Sequence, residues 1–141
     1  MQRGLCILVV DDEPLIALAS EAVLASYGHQ VLLAPSMKAA LARAELLPSL
    51  DLAVIDLHLA DGSGAELIDK LRARWPGLPV VLSTAYDLDA GELLVLEPAL
   101  GRTVILTKPW NEAEFVNAVA EVARPAAPTA DVRAALSAGP A

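Results

Sequence analysis

Leu5-Cys6-Ile7-Leu8-Val9-Val10-Asp11-Asp12 joins six apolar residues to two adjacent acids. A run this short and this continuous lacks the period-two alternation of a half-wetted strand, so it reads as a strand buried on both faces. Comparable runs follow at Val31 to Leu33, Leu52 to Ile55, Val80 to Leu82 and Val104 to Leu106.

Between the runs the apolar period turns helical. Leu15, Leu18/Ala19, Ala22/Val23 and Tyr27 make one stripe, and Met37, Ala40/Leu41, Ala44 and Leu47 a second. Ile68, Leu71 and Trp75 make a third; Phe115/Val116, Val119 and Val122/Ala123 close the series after Asn111 and Glu114 in capping-box spacing. The segment Leu88 to Leu100 is weaker: Gly91 loosens its start and Pro98 ends or kinks it near Glu97, which predicts a short helix. Five strand and helix pairs in alternation, joined by right-handed crossovers, predict an α/β, doubly wound, five-stranded parallel sheet with helices on both faces.

With 141 residues, 55% of them hydrophobic, the chain suits a single core, expected over residues 1–124. From Pro125 to Ala141 small residues and prolines predominate, which predicts a flexible Ala/Pro-rich tail. With Met1 at one end and this tail at the other, a stand-alone domain is the expectation. A net charge of −8 argues against a nucleic-acid partner, because binding a phosphate backbone needs clustered Lys and Arg. The lone Cys6 excludes an internal disulfide, and no apolar run approaches a membrane span, so a soluble cytoplasmic protein is expected.

Ligands of open α/β sheets gather beyond the carboxyl ends of the strands. There the sequence puts Asp11 and Asp12 after the first strand, Asp56 at the end of the third, Ser83 and Thr84 after the fourth, and Thr107 and Lys108 after the fifth. Three carboxylates gathered together raise one another's pKa unless a cation intervenes. Oxygen donors select a hard ion, and Mg²⁺ binds through few carboxylates while accepting a phosphate oxygen. Asp11 and Asp12 can share that ion, which leaves Asp56 as nucleophile for an acyl phosphate, Lys108 as counter-charge and Thr84 as hydrogen-bond donor.

The runs ILVVDDEP at 7–14, DLHLADGSG at 56–64, STAY at 83–86 and TKPW at 107–110, in this order and each at a strand end, resemble the response regulator receiver domain. The resemblance covers roughly residues 5–124 and implies a flavodoxin-like strand order 2-1-3-4-5. It implies Mg²⁺ held by Asp11, Asp12, Asp56 and the backbone carbonyl of His58, with Asp56 as phosphoacceptor, Thr84 as switch hydroxyl and Lys108 as phosphate partner. It also implies a cis bond at Lys108-Pro109, a histidine kinase or histidine phosphotransfer protein as donor, and a downstream protein target bound through the 88–124 face. A monomer or weak homodimer is expected. Ile105 stands where the family often has an aromatic switch residue, so Tyr86 or Trp110 is the expected reporter. His58 and Tyr86 flank the path of the hydrolysing water in this family, which implies slower self-dephosphorylation here than in a His58→Asn, Tyr86→Glu variant.

Two rival functions are weighed. A haloacid dehalogenase-like aspartyl phosphatase also uses Mg²⁺ and a lysine but wants a second acid two residues after the nucleophile, where this chain has His58. A phosphorylation-independent interaction module would lack an acid or the lysine, and none is missing. Elsewhere, His29 reads as an exposed turn residue without special role, Asp61-Gly62 as turn chemistry and Trp75 as core or helix-end packing.

Overall fold

The computed structural model describes residues 4–85, 88–96 and 101–124. In chain order its elements are β1 (Cys6–Val10), α1 (Pro14–Ser26), β2 (Gln30–Ala34), α2 (Met37–Glu45), β3 (Leu52–Asp56), β4 (His58–Leu59), β5 (Gly62–Ser63), α3 (Gly64–Arg74), β6 (Val80–Thr84), α4 (Ala90–Leu96), β7 (Thr103–Thr107) and α5 (Glu112–Ala123). The five apolar runs are the five strands of one parallel sheet in the order β2-β1-β3-β6-β7. Counted over that sheet alone, this is the expected 2-1-3-4-5 order.

Side chains alternate across the sheet and sort into two cores. Leu8, Val10, Ala53, Ile55 and Leu82 meet Ala40 and Ala44 of α2 and Leu67, Ile68 and Leu71 of α3. Ile7, Val9, Leu52, Val54 and Val81 meet Leu24 of α1 and Phe115, Val119 and Val122 of α5. Asn111 and Glu114 form the expected capping box at the start of α5.

Several expectations are corrected. Ser83 and Thr84 lie inside β6 and Thr107 inside β7, not after them, because the ladder continues through the pairs Asp56↔Ser83 and Thr84↔Thr107. The α1 stripe is turned away from the sheet: Leu15 is 82% exposed, and Leu18 and Tyr27 are exposed too, while Ala17, Ser20 and Leu24 are buried. Nearly every face of LIALASEAVLA is apolar, so its periodicity cannot choose a side, and small Ala17 and Ser20 lie against the neighbouring layer. The two-residue strands β4 and β5, an antiparallel pair after the phosphoacceptor candidate, carry too few residues for any pattern. Helix α4 is seven residues long, within the weak 88–100 stretch. Pro98, Tyr86 and the tail at 125–141 lie outside the described residues.

Long-range hydrogen bonds hold the loops on both sides of the sheet. Both Asp61 carboxylate oxygens accept from the first turn of α2, from Met37 N at 2.9 Å and Lys38 N at 3.0 Å, so this residue does more than turn the chain. His29 likewise gains a role, accepting the Leu5 N–H on Nδ1 at 3.0 Å. Trp75 ends α3 half-buried with the Arg74 guanidinium 4.6 Å above its ring. Gly64 packs backbone on backbone: a Cβ there would lie 2.5 Å from the Asp56 carbonyl oxygen and 2.9 Å from Leu57 Cα, so any side chain would push on the strand end that carries Asp56.

Candidate functional site

The rim where β1, β3, β6 and β7 end gathers the expected residues. Asp11 follows β1 directly, its backbone N–H bonded to Ala34 O at 3.2 Å, and its Oδ1 accepts the Glu13 N–H at 2.9 Å. This fixes the turn into α1, which Pro14 then starts from the first helical position, where a missing N–H costs nothing. Asp56 is the last residue of β3, and its Oδ1 accepts the His58 N–H at 3.1 Å. His58 itself is exposed.

Lys108 leaves β7 with its N–H bonded to Thr84 O at 2.7 Å, and the Lys108-Pro109 bond is cis, as the resemblance implied. Its Nζ lies 3.1 Å from Asp11 Oδ2, 3.0 Å from Glu13 Oε1 and 3.2 Å from Asp56 Oδ2, with the lysine side chain only 9% exposed. Asp11, Asp12, Glu13 and Asp56 each offer a carboxylate oxygen within 4.8 Å of the others. Thr84 completes the rim, fully buried, and neither its hydroxyl nor that of Ser83 has a hydrogen-bond partner among the described residues. The structure thus brings Asp11, Asp12, Asp56, Thr84 and Lys108 to one edge.

These residues fit the groups the site would hold. In an octahedral Mg²⁺ shell, oxygens at roughly 2.1 Å from the ion stand about 3.0 Å apart when adjacent and about 4.2 Å apart when opposite, so carboxylates already gathered within 4.8 Å would draw closer around an ion. A buried hydroxyl without a partner is costly, and an acceptor brought by a ligand would satisfy it. A phosphoryl oxygen is such an acceptor.

The electrostatics are unbalanced toward negative charge. The Asp11 carboxyl is pushed above its usual range, chiefly by burial and further by the Asp56 charge, against the pull of the Glu13 N–H and Lys108. For Lys108 burial favours the neutral amine, but its bond to Glu13 and the charges of Asp11 and Asp56 outweigh that and raise its pKa. A raised folded-state pKa makes the Asp11 contribution fully present below its unfolded value, near pH 4, and lost as pH rises through the raised value. At pH 7 without divalent ions, Asp11→Asn is therefore expected to melt at a higher temperature than wild type, with the advantage fading toward pH 4. A melting scan in EDTA at several pH values checks this; an equal or lower midpoint at pH 7 would contradict it.

Glu13 is the residue that sequence reasoning missed. A third acid after Asp11-Asp12 was visible, but its contact with a lysine 95 residues away was not. Beside it a cleft of about 470 Å³ runs along Leu15, Ile16, Ala19, Pro109 and Trp110 to Lys108. Trp110 stacks on Phe115, ring centres 4.5 Å apart.

Comparison with known proteins accords with this geometry. The family model described as response regulator receiver domain matches residues 7–120. The probable transcriptional regulatory protein TcrX of Mycobacterium tuberculosis is 37% identical over 110 residues, which cover 78% of this chain and 46% of TcrX. The alkaline phosphatase synthesis transcriptional regulatory protein PhoP of Bacillus subtilis is 33% identical over 130 residues, covering 90% of this chain and 53% of PhoP. The chain spans about half the length of these relatives. Among solved structures, a CheY-like response regulator receiver domain protein from Methanospirillum hungatei superposes with a TM-score of 0.76 at 26% identity, covering 86% of this chain and 94% of that one. The non-phosphorylated HemR receiver domain from Leptospira biflexa gives 0.74 at 26% identity, covering 89% and 98%.

Proposed function

Because this chain belongs to the response regulator receiver domain family of two-component signalling, we propose that Asp56 accepts a phosphoryl group from a phosphohistidine and that the charge so gained switches a protein-binding face. The observation that carries this reading is the Lys108 ammonium held between Asp11 and Asp56 at the sheet rim, with Asp12 beside them and the Thr84 hydroxyl buried and unpartnered among the described residues.

In the transfer, an Asp56 carboxylate oxygen bonds to phosphorus while the phosphorus–nitrogen bond of the donor imidazole breaks. The imidazole nitrogen keeps the electron pair. Lys108 stabilises charge on the transferring oxygens, and Thr84 gains the acceptor it lacks. Asp11, Asp12, Asp56 and the His58 carbonyl would hold Mg²⁺, which when bound neutralises charge on those same oxygens. The reaction is self-catalysed, not turnover of a separate substrate; the phosphatase reading lacks the second acid it wants, because His58 stands in its place.

The phosphodonor is a histidine kinase or histidine phosphotransfer protein, and exposed Leu15, which lines the cleft that reaches Lys108, suits its docking. The output face is formed by α4, β7 and α5 within 88–124, where Leu94 is 71% exposed. The relatives are named as transcriptional regulatory proteins; for the residues in hand, a charge of −8 supports a protein partner over nucleic acid. No helix among the described residues is long and apolar enough to cross a membrane, and with one thiol and no possible internal disulfide we assign the domain to the cytoplasm.

Ile105 is half-buried on the α2/α3 side, whereas Trp110 borders the cleft, so Trp110 is the expected reporter. In a Trp75→Phe variant, adding beryllium fluoride to the Mg²⁺-loaded protein is expected to change Trp110 emission saturably, and Asp56→Asn should abolish the change. A flat emission signal together with calorimetry that detects no binding would contradict the proposed function; a flat signal despite binding would remove only the role of Trp110.

A further inference from the structure

Lys108 is surrounded by carboxylates in the resting molecule. Its ammonium donates to Glu13 Oε1 at 3.0 Å and to Asp56 Oδ2 at 3.2 Å, and it lies 3.1 Å from Asp11 Oδ2 in a third ion pair. The Lys108 side chain is 9% exposed, at the end of the cleft. The three carboxylates differ in what they lose on release. Asp11 and Asp56 have side chains only 6% and 7% exposed, so freeing either would strand a buried charge. Glu13 is 59% exposed and regains water when it lets go.

Resting on the reading above, we propose that Glu13 is a positioning residue: it holds Lys108 in the unphosphorylated domain and is the partner Lys108 gives up when phosphoryl oxygens arrive on Asp56. Phosphorylation exchanges the single charge of the Asp56 carboxylate for up to about two on the phosphoryl oxygens, a net gain of up to about one negative charge within reach of the same ammonium, and the exposed carboxylate is the one that repulsion expels. The exchange also has a place to be felt. Glu13 immediately precedes α1, and Lys108 opens the loop into α5, so their contact ties the two walls of the cleft that Leu15, Ile16, Pro109 and Trp110 line. Release of Glu13 unties those walls on the surface next to the reacting carboxylate.

The test uses beryllium trifluoride as phosphoryl mimic in the Mg²⁺-loaded protein. By calorimetry, Glu13→Gln is expected to bind the mimic about two- to fivefold more tightly than wild type, the scale of an exposed ion pair. In wild-type protein, the carbon-13 signal of the Glu13 carboxyl is expected to move on binding toward the position of the solvent-exposed Glu45 carboxyl. Equal or weaker binding by Glu13→Gln would overturn the proposal, as it would if Glu13 were a metal ligand. So would a Glu13 signal that stays put, because tighter binding would then reflect removal of negative charge alone. Wild-type protein that binds no mimic would overturn the phosphoacceptor reading and this inference together, whereas the preceding outcomes leave that reading standing.

Discussion

Replacing Lys108 with Met is expected to slow phosphoryl uptake from acetyl phosphate by about a hundredfold and to lower the unfolding free energy by about 3–5 kcal/mol. The kinetic figure is that for removal of one preorganised donor to developing charge. The stability figure follows from leaving Asp11 and Asp56 buried without their counter-charge, with the exposed pair to Glu13 adding little. Because the Lys108 pKa is raised in the fold, its contribution is complete below the unfolded value near 10.5 and is lost only as pH rises through the folded one. The deficit should therefore be constant from pH 6 to 9 and shrink at acid pH, where the carboxylates protonate. Urea unfolding across that range, alongside a phosphorylation time course, checks both parts; wild-type stability at pH 7 would contradict the electrostatic account.

Thr84→Val is expected to act in the opposite sense on stability. Thr84 is fully buried, its hydroxyl has no partner among the described residues, and a methyl of nearly the same volume removes the desolvation cost of that hydroxyl. A gain of about 1 kcal/mol is expected, which for a domain of this size raises the melting temperature by roughly 3–5 °C. The same change should weaken the coupling from phosphate to surface, so that the variant still takes up a phosphoryl group but loses the Trp110 emission response. A less stable variant with a full emission response would show that the hydroxyl serves packing alone. Opposite shifts in stability and signalling are the mark of a site that keeps an unsatisfied group for a ligand to satisfy.

How much of this was legible from the chain depends on the range of the interactions involved. The five strands follow from local composition, since segments buried on both faces must be apolar throughout. The meeting of Asp11, Asp12, Asp56, Thr84 and Lys108 follows from topology, because parallel strands put all their carboxyl ends on one edge. The inward face of α1 was not legible. An apolar residue such as Leu15 costs little when exposed, so composition does not forbid the arrangement that packing selects. Glu13, Asp61 and His29 were missed for a different reason: each acts through a hydrogen bond or ion pair to a residue at least 23 positions away, and such pairings exist only once the fold has brought the partners together.

Incubation with acetyl phosphate and Mg²⁺, followed by intact mass measurement, tests the central assignment most directly. Wild-type protein is expected to gain one phosphoryl group, and Asp56→Asn none. No gain by wild type, or an equal gain by the variant, would contradict the assignment of Asp56 as the reacting carboxylate.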